Sequence, residues 1–187
     1  MPNLPLKIPG GNELMDAKKV LEKIGLKEGD VVADLGCGGK GYFSLQAAKL
    51  VGNRGMVYAV DILKSVLRNV EKEAKFDNLY NLKAIWSNLE IVGSTKIKHE
   101  SLDFSLLINI LFQTEKHFEV IKESVRLLKA GGKLVVIDWK ATAATFGPPP
   151  EMKVPLEEIR NFAKQLGLKE EESFEAGKFH YGIIFVK

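Results

Sequence analysis

Residues 30–44 read DVVADLGCGGKGYFS, and this stretch decides the fold. A charged residue leads into a short apolar run, the run carries Asp34 near its end, and a glycine-rich turn follows at once. Val31, Val32 and Leu35 read as a buried parallel strand, and from Tyr42 the pattern turns helical. Between them Gly36, Gly38 and Gly41 give the spacing G-x-G-x-x-G. Glycine is needed where the chain reverses tightly and a ligand must approach bare backbone. The spacing alone is a weak signal, and Asp34, two residues before the first glycine, sharpens it. A dinucleotide would set pyrophosphate over this turn, where a carboxylate repels it; a ligand with a cationic end suits the loop better.

Outward from this turn, helix and strand alternate. Ala17, Val20, Leu21 and Ile24 recur at i, i+3, i+4, i+7 and predict an opening helix that Gly25 ends. The helix after the turn spans 42–51, and a second strand covers 55–61 and ends in Asp61. Leu63, Val66, Leu67, Val70 and Ala74 mark the next helix, and a third strand is expected at 81–86. A polar stretch from Ser87 to Ser101 leads to a fourth strand from Asp103. Phe118, Ile121, Val125 and Leu128 predict a helix stopped by Gly131-Gly132, followed by a fifth strand at 133–139. The FGPPP run at 146–150 reads as a loop, and Pro155 suits the first turn of a helix at about 155–166. Residues 168–176 and 179–187 look like two strands joined at Gly177-Lys178, a connection short enough to force antiparallel pairing. The fold expected is therefore α/β, a three-layer αβα sandwich on a mostly parallel seven-stranded sheet with a C-terminal antiparallel hairpin.

Composition bounds the function. The 187 residues read as one domain, 1–187, with an N-terminal arm or lid at 1–12 and a proline-rich loop at 141–154. An apolar share of 45% with 27% charged residues suits a globular chain, and no apolar run nears the ~18 residues of a membrane span. MPNLPLKIPGGN carries no apolar signal core, so a cytoplasmic location is expected. Cys37, the single cysteine, excludes an internal disulfide and any multi-cysteine metal site, and no metal constellation is expected. Net charge is +3, with lysines and glutamates interleaved, which reads as solvated faces rather than a nucleic-acid footprint.

The strand–Asp-x-Gly-x-Gly form of residues 31–38 resembles the first motif of class I S-adenosylmethionine-dependent methyltransferases, and the likeness spans roughly residues 13–187. It is nearest to the small single-domain bacterial and archaeal members, generic or ubiquinone/menaquinone-type. Where many of these read D-x-G-x-G-x-G, Gly39-Lys40 adds one residue before Gly41 here. The resemblance implies the seven-stranded layout, S-adenosyl-L-methionine as co-substrate, S-adenosyl-L-homocysteine as product, and in-line methyl transfer. It also implies a cofactor-binding set of Asp34, Gly36, Cys37, Gly38, Gly41, Asp61, Ile62, Asn88, Leu89 and Asn109.

The residues add their own arguments. Asp61 lies 20 residues after Gly41 at a strand end, the place of the carboxylate that grips ribose hydroxyls; capping the following helix is the alternative. Ile62 packs on adenine or in the core. By resemblance Asn88 or Glu90 is the residue expected to meet the adenine amine, with loop solvation the alternative, and Cys37 reads as a small residue in the turn rather than a reactive thiol. The resemblance makes Asn109 and Gln113 acceptor-pocket candidates, Asp138 and Trp139 join them at the end of the fifth strand, and Trp139 equally fits packing beneath the proline loop. His99 and His117 are expected on the surface, and His180 in a structural hydrogen bond. By resemblance, Asn109 stands where magnesium-dependent catechol-type or ribose methyltransferases carry an acid, and the N-P-P-Y tetrad and paired cysteines of other acceptor classes are missing. A small-molecule acceptor comes first, an RNA or protein acceptor second. An NAD-dependent oxidoreductase is disfavoured by Asp34, by the hairpin and by the lack of a nicotinamide-binding half, and a catalytically silent nucleoside-binding module is the remaining reading.

Overall fold

The computed structural model describes residues 11–141 and 147–187. Residues 1–10 of the expected arm and 142–146 of the 141–154 loop lie outside the described residues. After a 3-10 turn at Asn12–Leu14 come α1 (Ala17–Lys23), β1 (Val31–Leu35), α2 (Tyr42–Val51), β2 (Met56–Asp61), α3 (Lys64–Phe76) and β3 (Leu82–Trp86). Then follow β4 (Leu102–Ile108), a 3-10 turn at Leu111–Gln113, α4 (His117–Leu127), β5 (Leu128–Trp139), a 3-10 turn at Pro150–Met152, α5 (Leu156–Gln165), β6 (Lys169–Gly177) and β7 (His180–Val186). The seven strands form one sheet in the order β3-β2-β1-β4-β5-β7-β6. β1 to β5 run parallel, and β7 is antiparallel to both β5 and β6.

The alternation of buried side chains along the strands makes the two cores. Val32, Leu106, Val135 and Ile184 face α1 and α2 and pack on Leu21, Ile24, Phe43 and Ala47. Leu35, Leu107, Val136 and Ile183 face the opposite way, onto Ile121 and Val125 of α4 and Ile159 of α5. α3 covers the outer end of the first face through Leu67 and Val70 against Ala59. Connections from β1 through β3 thus run on one face and those after β4 on the other. The order reverses between β1 and β4, and open α/β sheets bind ligands in the crevice beyond the strand ends at such a point.

Three boundaries differ from the sequence reading. α4 stops at Leu127, because Leu128 already pairs with Leu102 as the first residue of β5. The end of α4 is closed by Lys187, whose Nζ donates to the carbonyls of Val125 at 3.2 Å and Leu128 at 2.7 Å, a cation at the negative end of a helix. β4 ends at Ile108, since Asn109, whose N–H still donates to the Ile137 carbonyl at 2.8 Å, takes a left-handed φ of 54° and turns the chain out of the strand. Pro155 is extended and caps α5 rather than entering its first turn.

Candidate functional site

The glycine turn after β1 is built from three kinds of contact. Gly36 and Cys37 donate their backbone N–H groups to the carbonyl of Val60 at 2.8 and 3.0 Å, fixing the turn to β2. Gly36 (φ 85°) lies under Ile110, whose side chain a Cβ would meet at 2.7 Å. Gly41 (φ 57°) starts α2 and lies against Val70, 2.8 Å from where its Cβ would be. Gly38 has φ 68° and nothing within 4 Å of such a Cβ, so the middle of the loop presents open backbone.

Asp34 is 2% exposed beneath this loop. Its Oδ2 accepts the Ser44 hydroxyl at 2.5 Å, and the Ser44 backbone amide adds to the interaction. Gly41 has no side chain with which to cap α2, and Asp34 thereby serves the third residue of that helix from the neighbouring strand. Burial raises its carboxyl to about 6, with the Asp61 charge adding and the Ser44 hydrogen bonds opposing. Cys37 is 1% exposed, and burial pushes its thiol up, away from reactivity.

Asp61, partly exposed at the end of β2, accepts from Gly38 N–H at 3.2 Å through Oδ2 and from Leu63 N–H at 2.9 Å through Oδ1. It caps the approach to α3 and at the same time borders the open backbone of Gly38. A carboxylate oxygen has a second lone pair, so both can accept again. Ile62 is 51% exposed and Trp86 52%, so neither is core; the Trp86 Nε1–H donates to the Ile62 carbonyl at 2.8 Å. Sequence reasoning passed over Trp86 as a member of β3, although its position at the strand end was the available signal.

At the end of β3, Leu89 is buried and Asn88 Oδ1 accepts the Glu90 amide at 3.0 Å. Glu90 is already engaged: it accepts from Thr114 Oγ1 at 2.7 Å and pairs with Lys116 at 3.4 Å. The loop that follows is pinned by Glu123 of α4, a fully buried carboxylate that accepts Gly93 N–H at 2.7 Å, Thr95 N–H at 3.0 Å and the Arg126 guanidinium at 2.7 and 2.8 Å. Burial opposes its ionisation, but the Arg126 hydrogen bond and those from the Gly93 and Thr95 amides outweigh it and hold the carboxyl at about 2. Lys40, in the turn before α2, pairs with Glu13 at 2.6 Å.

The acceptor-pocket candidates separate. The pleat of β5 sends Trp139 to the α1 face and Asp138 to the α4 face, so these neighbours do not line one pocket. Asp138 is fully buried; burial raises its carboxyl to about 7, while the amides of Trp139, Phe112 and Leu111 pull the other way. Asn109 is 3% exposed, and its Nδ2 donates to Asn12 Oδ1 at 2.9 Å. Gln113 is exposed and donates through Nε2 to the Asn109 carbonyl at 2.7 Å.

Trp139 is 1% exposed, with Gly147 of the proline loop against its ring, which is the packing alternative of the sequence reading. His180 is fully buried beside it, ring centroids 4.2 Å apart, because β7 runs antiparallel and its first residue pairs with Trp139. The hydrogen bond expected of His180 is not found: neither ring nitrogen has a partner among the described residues. His99 is exposed, but His117 is only 19% exposed and bonds Glu158 Oε1 at 2.6 Å.

Comparison with known proteins agrees with this fold. Residues 26–176 match the family described as "Methyltransferase domain". The chain is 34% identical over 117 residues to a "Probable cobalt-precorrin-6B C(15)-methyltransferase (decarboxylating)" of Saccharolobus solfataricus, covering 62% of this chain and 56% of that protein. It is 26% identical over 118 residues to a demethylmenaquinone methyltransferase of Geobacillus sp. strain WCH70, covering 63% and 49%. The chain thus spans about half the length of the curated relatives it matches. A solved SAM-dependent methyltransferase from Aquifex aeolicus superposes with a TM-score of 0.84 at 28% identity, covering 95% of this chain and 92% of that one. Sheet order, glycine turn and family match coincide, and the chain belongs to the methyltransferase-domain family, with the class I S-adenosylmethionine-dependent fold.

Proposed function

We propose that this chain transfers a methyl group from S-adenosylmethionine to a small-molecule acceptor. The observation that carries the reading is the Asp61 carboxylate beside the bare Gly38 backbone, at the sheet's switch point. The donor set fits the ligand. Asp61 offers two acceptor oxygens to vicinal ribose hydroxyls, and exposed Ile62 offers an apolar face to adenine. Asn88 and Leu89 border the adenine, Asn88 being preferred because Glu90 is held by Thr114 and Lys116. Gly36, Cys37, Gly38 and Gly41 pass around the methionine portion, with Asn109 beyond them. Asp34 acts on its ammonium through space from beneath the loop, and the first amides of α2 receive its carboxylate without Lys40.

When bound, S-adenosylmethionine supplies a methyl on a sulfonium whose sulfur leaves neutral. The chain's residues therefore hold the nucleophile in line and exclude water, and no acid–base pair is required of them. A small acceptor is supported by the interleaved surface charges and by the relatives named for cobalt-precorrin-6B and demethylmenaquinone. Among the described residues no helix is long and apolar enough to cross a membrane.

Calorimetry with S-adenosylhomocysteine tests the donor half. Asp61→Ala is expected to weaken binding by at least about tenfold, the scale of one lost charge-assisted pair of hydrogen bonds; unchanged affinity removes Asp61 from the site. Radiolabelled donor incubated with host extract, then sorted by size, tests the acceptor half, with label expected in the metabolite pool and label confined to RNA or protein refuting it.

A further inference from the structure

The end of β5 and the start of β7 hold a polar pair that the donor site does not use. Trp139 and His180 are 1% and 0% exposed, their rings lie 4.2 Å apart, and the Trp139 indole N–H and both His180 ring nitrogens have no hydrogen-bond partner among the described residues. A buried polar group without a partner is costly, so three together in one spot call for a ligand or a cover that exchanges with one. The cover is Gly11. A Cβ on Gly11 would fall 2.4 Å from Trp139 Cζ2, 2.9 Å from Asn109 Nδ2 and 3.1 Å from His180 Nε2. Groups from three strand ends thus converge where one glycine α-carbon stands.

We propose that Trp139 and His180 form a binding subsite for the hydroxyl of a flat phenolic or enolic acceptor, which takes the place of Gly11. This rests on the methyltransferase reading above. The class follows from the donors and acceptors. Desolvation, with the Lys140 charge adding, lowers the His180 imidazole to about 4, so it is neutral near pH 7 and presents one donor and one acceptor nitrogen. An indole N–H only donates. A hydroxyl both accepts from Trp139 and donates to His180, whereas a carbonyl satisfies donors alone. The lining is aromatic, with the Trp139 and His180 rings tilted at 44° to each other, and it suits an aromatic or conjugated acceptor through edge and face contacts better than a saturated one.

The subsite also adjoins the donor loop. Asn109 is followed by Ile110, whose side chain lies over Gly36. Among the described residues, the segment carrying Gly11 is tied to both regions by bonds from Asn12 to Asn109 at 2.9 Å, Glu13 to Lys40 at 2.6 Å, and the Tyr42 hydroxyl to the Met15 carbonyl at 3.1 Å. Only the Glu13–Lys40 pair of these is exposed, and Met15 is buried in the core and stays, so the displacement is confined to 11–14 and breaks the Asn109 Nδ2 bond to Asn12.

The test uses the full chain, 15N-labelled and saturated with S-adenosylhomocysteine, titrated with 2-naphthol, 4-hydroxybenzaldehyde and the enol form of acetylacetone. The chain has two tryptophans and three histidines, so every indole and imidazole signal is assignable. The expected result is that at least one probe binds and moves the Trp139 indole N–H and the His180 ring nitrogens while those of His99 and His117 stay. Trp139→Phe and His180→Asn should each weaken that probe about tenfold and leave S-adenosylhomocysteine affinity within twofold. Binding of none of the probes, or binding that leaves both signals still, overturns the proposal, and should a variant misfold, the wild-type signals decide. Failure of S-adenosylhomocysteine to bind the wild type is a different result, and it refutes the methyltransferase reading instead.

Discussion

Replacing Glu123 by Gln should loosen the loop that follows β3 and strip the protein of an acid-sensitive part of its stability. The side chain is fully buried and accepts from Gly93, Thr95 and Arg126. An isosteric amide keeps the shape but loses the charge, and its NH₂ group faces at least one donor. With the carboxyl held at about 2 against an ordinary 4.5, the difference corresponds to about 3 kcal/mol. For a chain of this size that is a Tm lower by about 6–12 °C at pH 7. Because the folded value is depressed, this stabilisation is fully present above about pH 4.5 and disappears as the pH falls through about 2. Urea titrations of wild type and Glu123→Gln at pH 7, 5, 4 and 3 should therefore give curves that are far apart at pH 7 and converge in acid. A constant gap across that range, or no gap at pH 7, would refute the assignment of the loop's stability to this charge.

Asp34 gives the opposite pH signature. Its carboxyl is raised to about 6, so it is protonated in mild acid, and the ammonium of S-adenosylhomocysteine should bind more tightly as the pH rises from about 5 to 7; a flat calorimetric profile would remove its charge from recognition. Cys37, buried with its thiol pushed up, should react with a disulfide reagent at least about a hundredfold more slowly in the native chain than in urea. Gly41→Ala should cost about 1–3 kcal/mol by urea unfolding, since it combines a φ of 57° with a contact on Val70, and an unchanged midpoint would show that α3 yields freely.

Much of the fold was legible because its signals are local. Buried strand runs, i, i+3, i+4 periodicity and glycine stops placed every strand and helix, and the short Gly177-Lys178 link already demanded an antiparallel last strand. The glycine turn was legible for the same reason: Asp34, the three glycines and Asp61 lie at spacings set by one βαβ unit. Boundaries slipped where tertiary pairing overrode periodicity. Leu128 fits the helical pattern but is claimed by Leu102, and Asn109 leaves its strand for a left-handed turn.

What the chain determined by itself was the order of elements and the glycine-lined turn, since both depend on neighbours close in sequence. Tertiary structure alone decided which side chains share a face. It sent Asp138 and Trp139 apart across a pleat, gave Lys40 to Glu13, and folded β7 back so that His180 lies on Trp139 beneath Gly11. Those partners are separated by 27 to 169 residues, and no local pattern encodes a contact that exists only after the sheet has assembled.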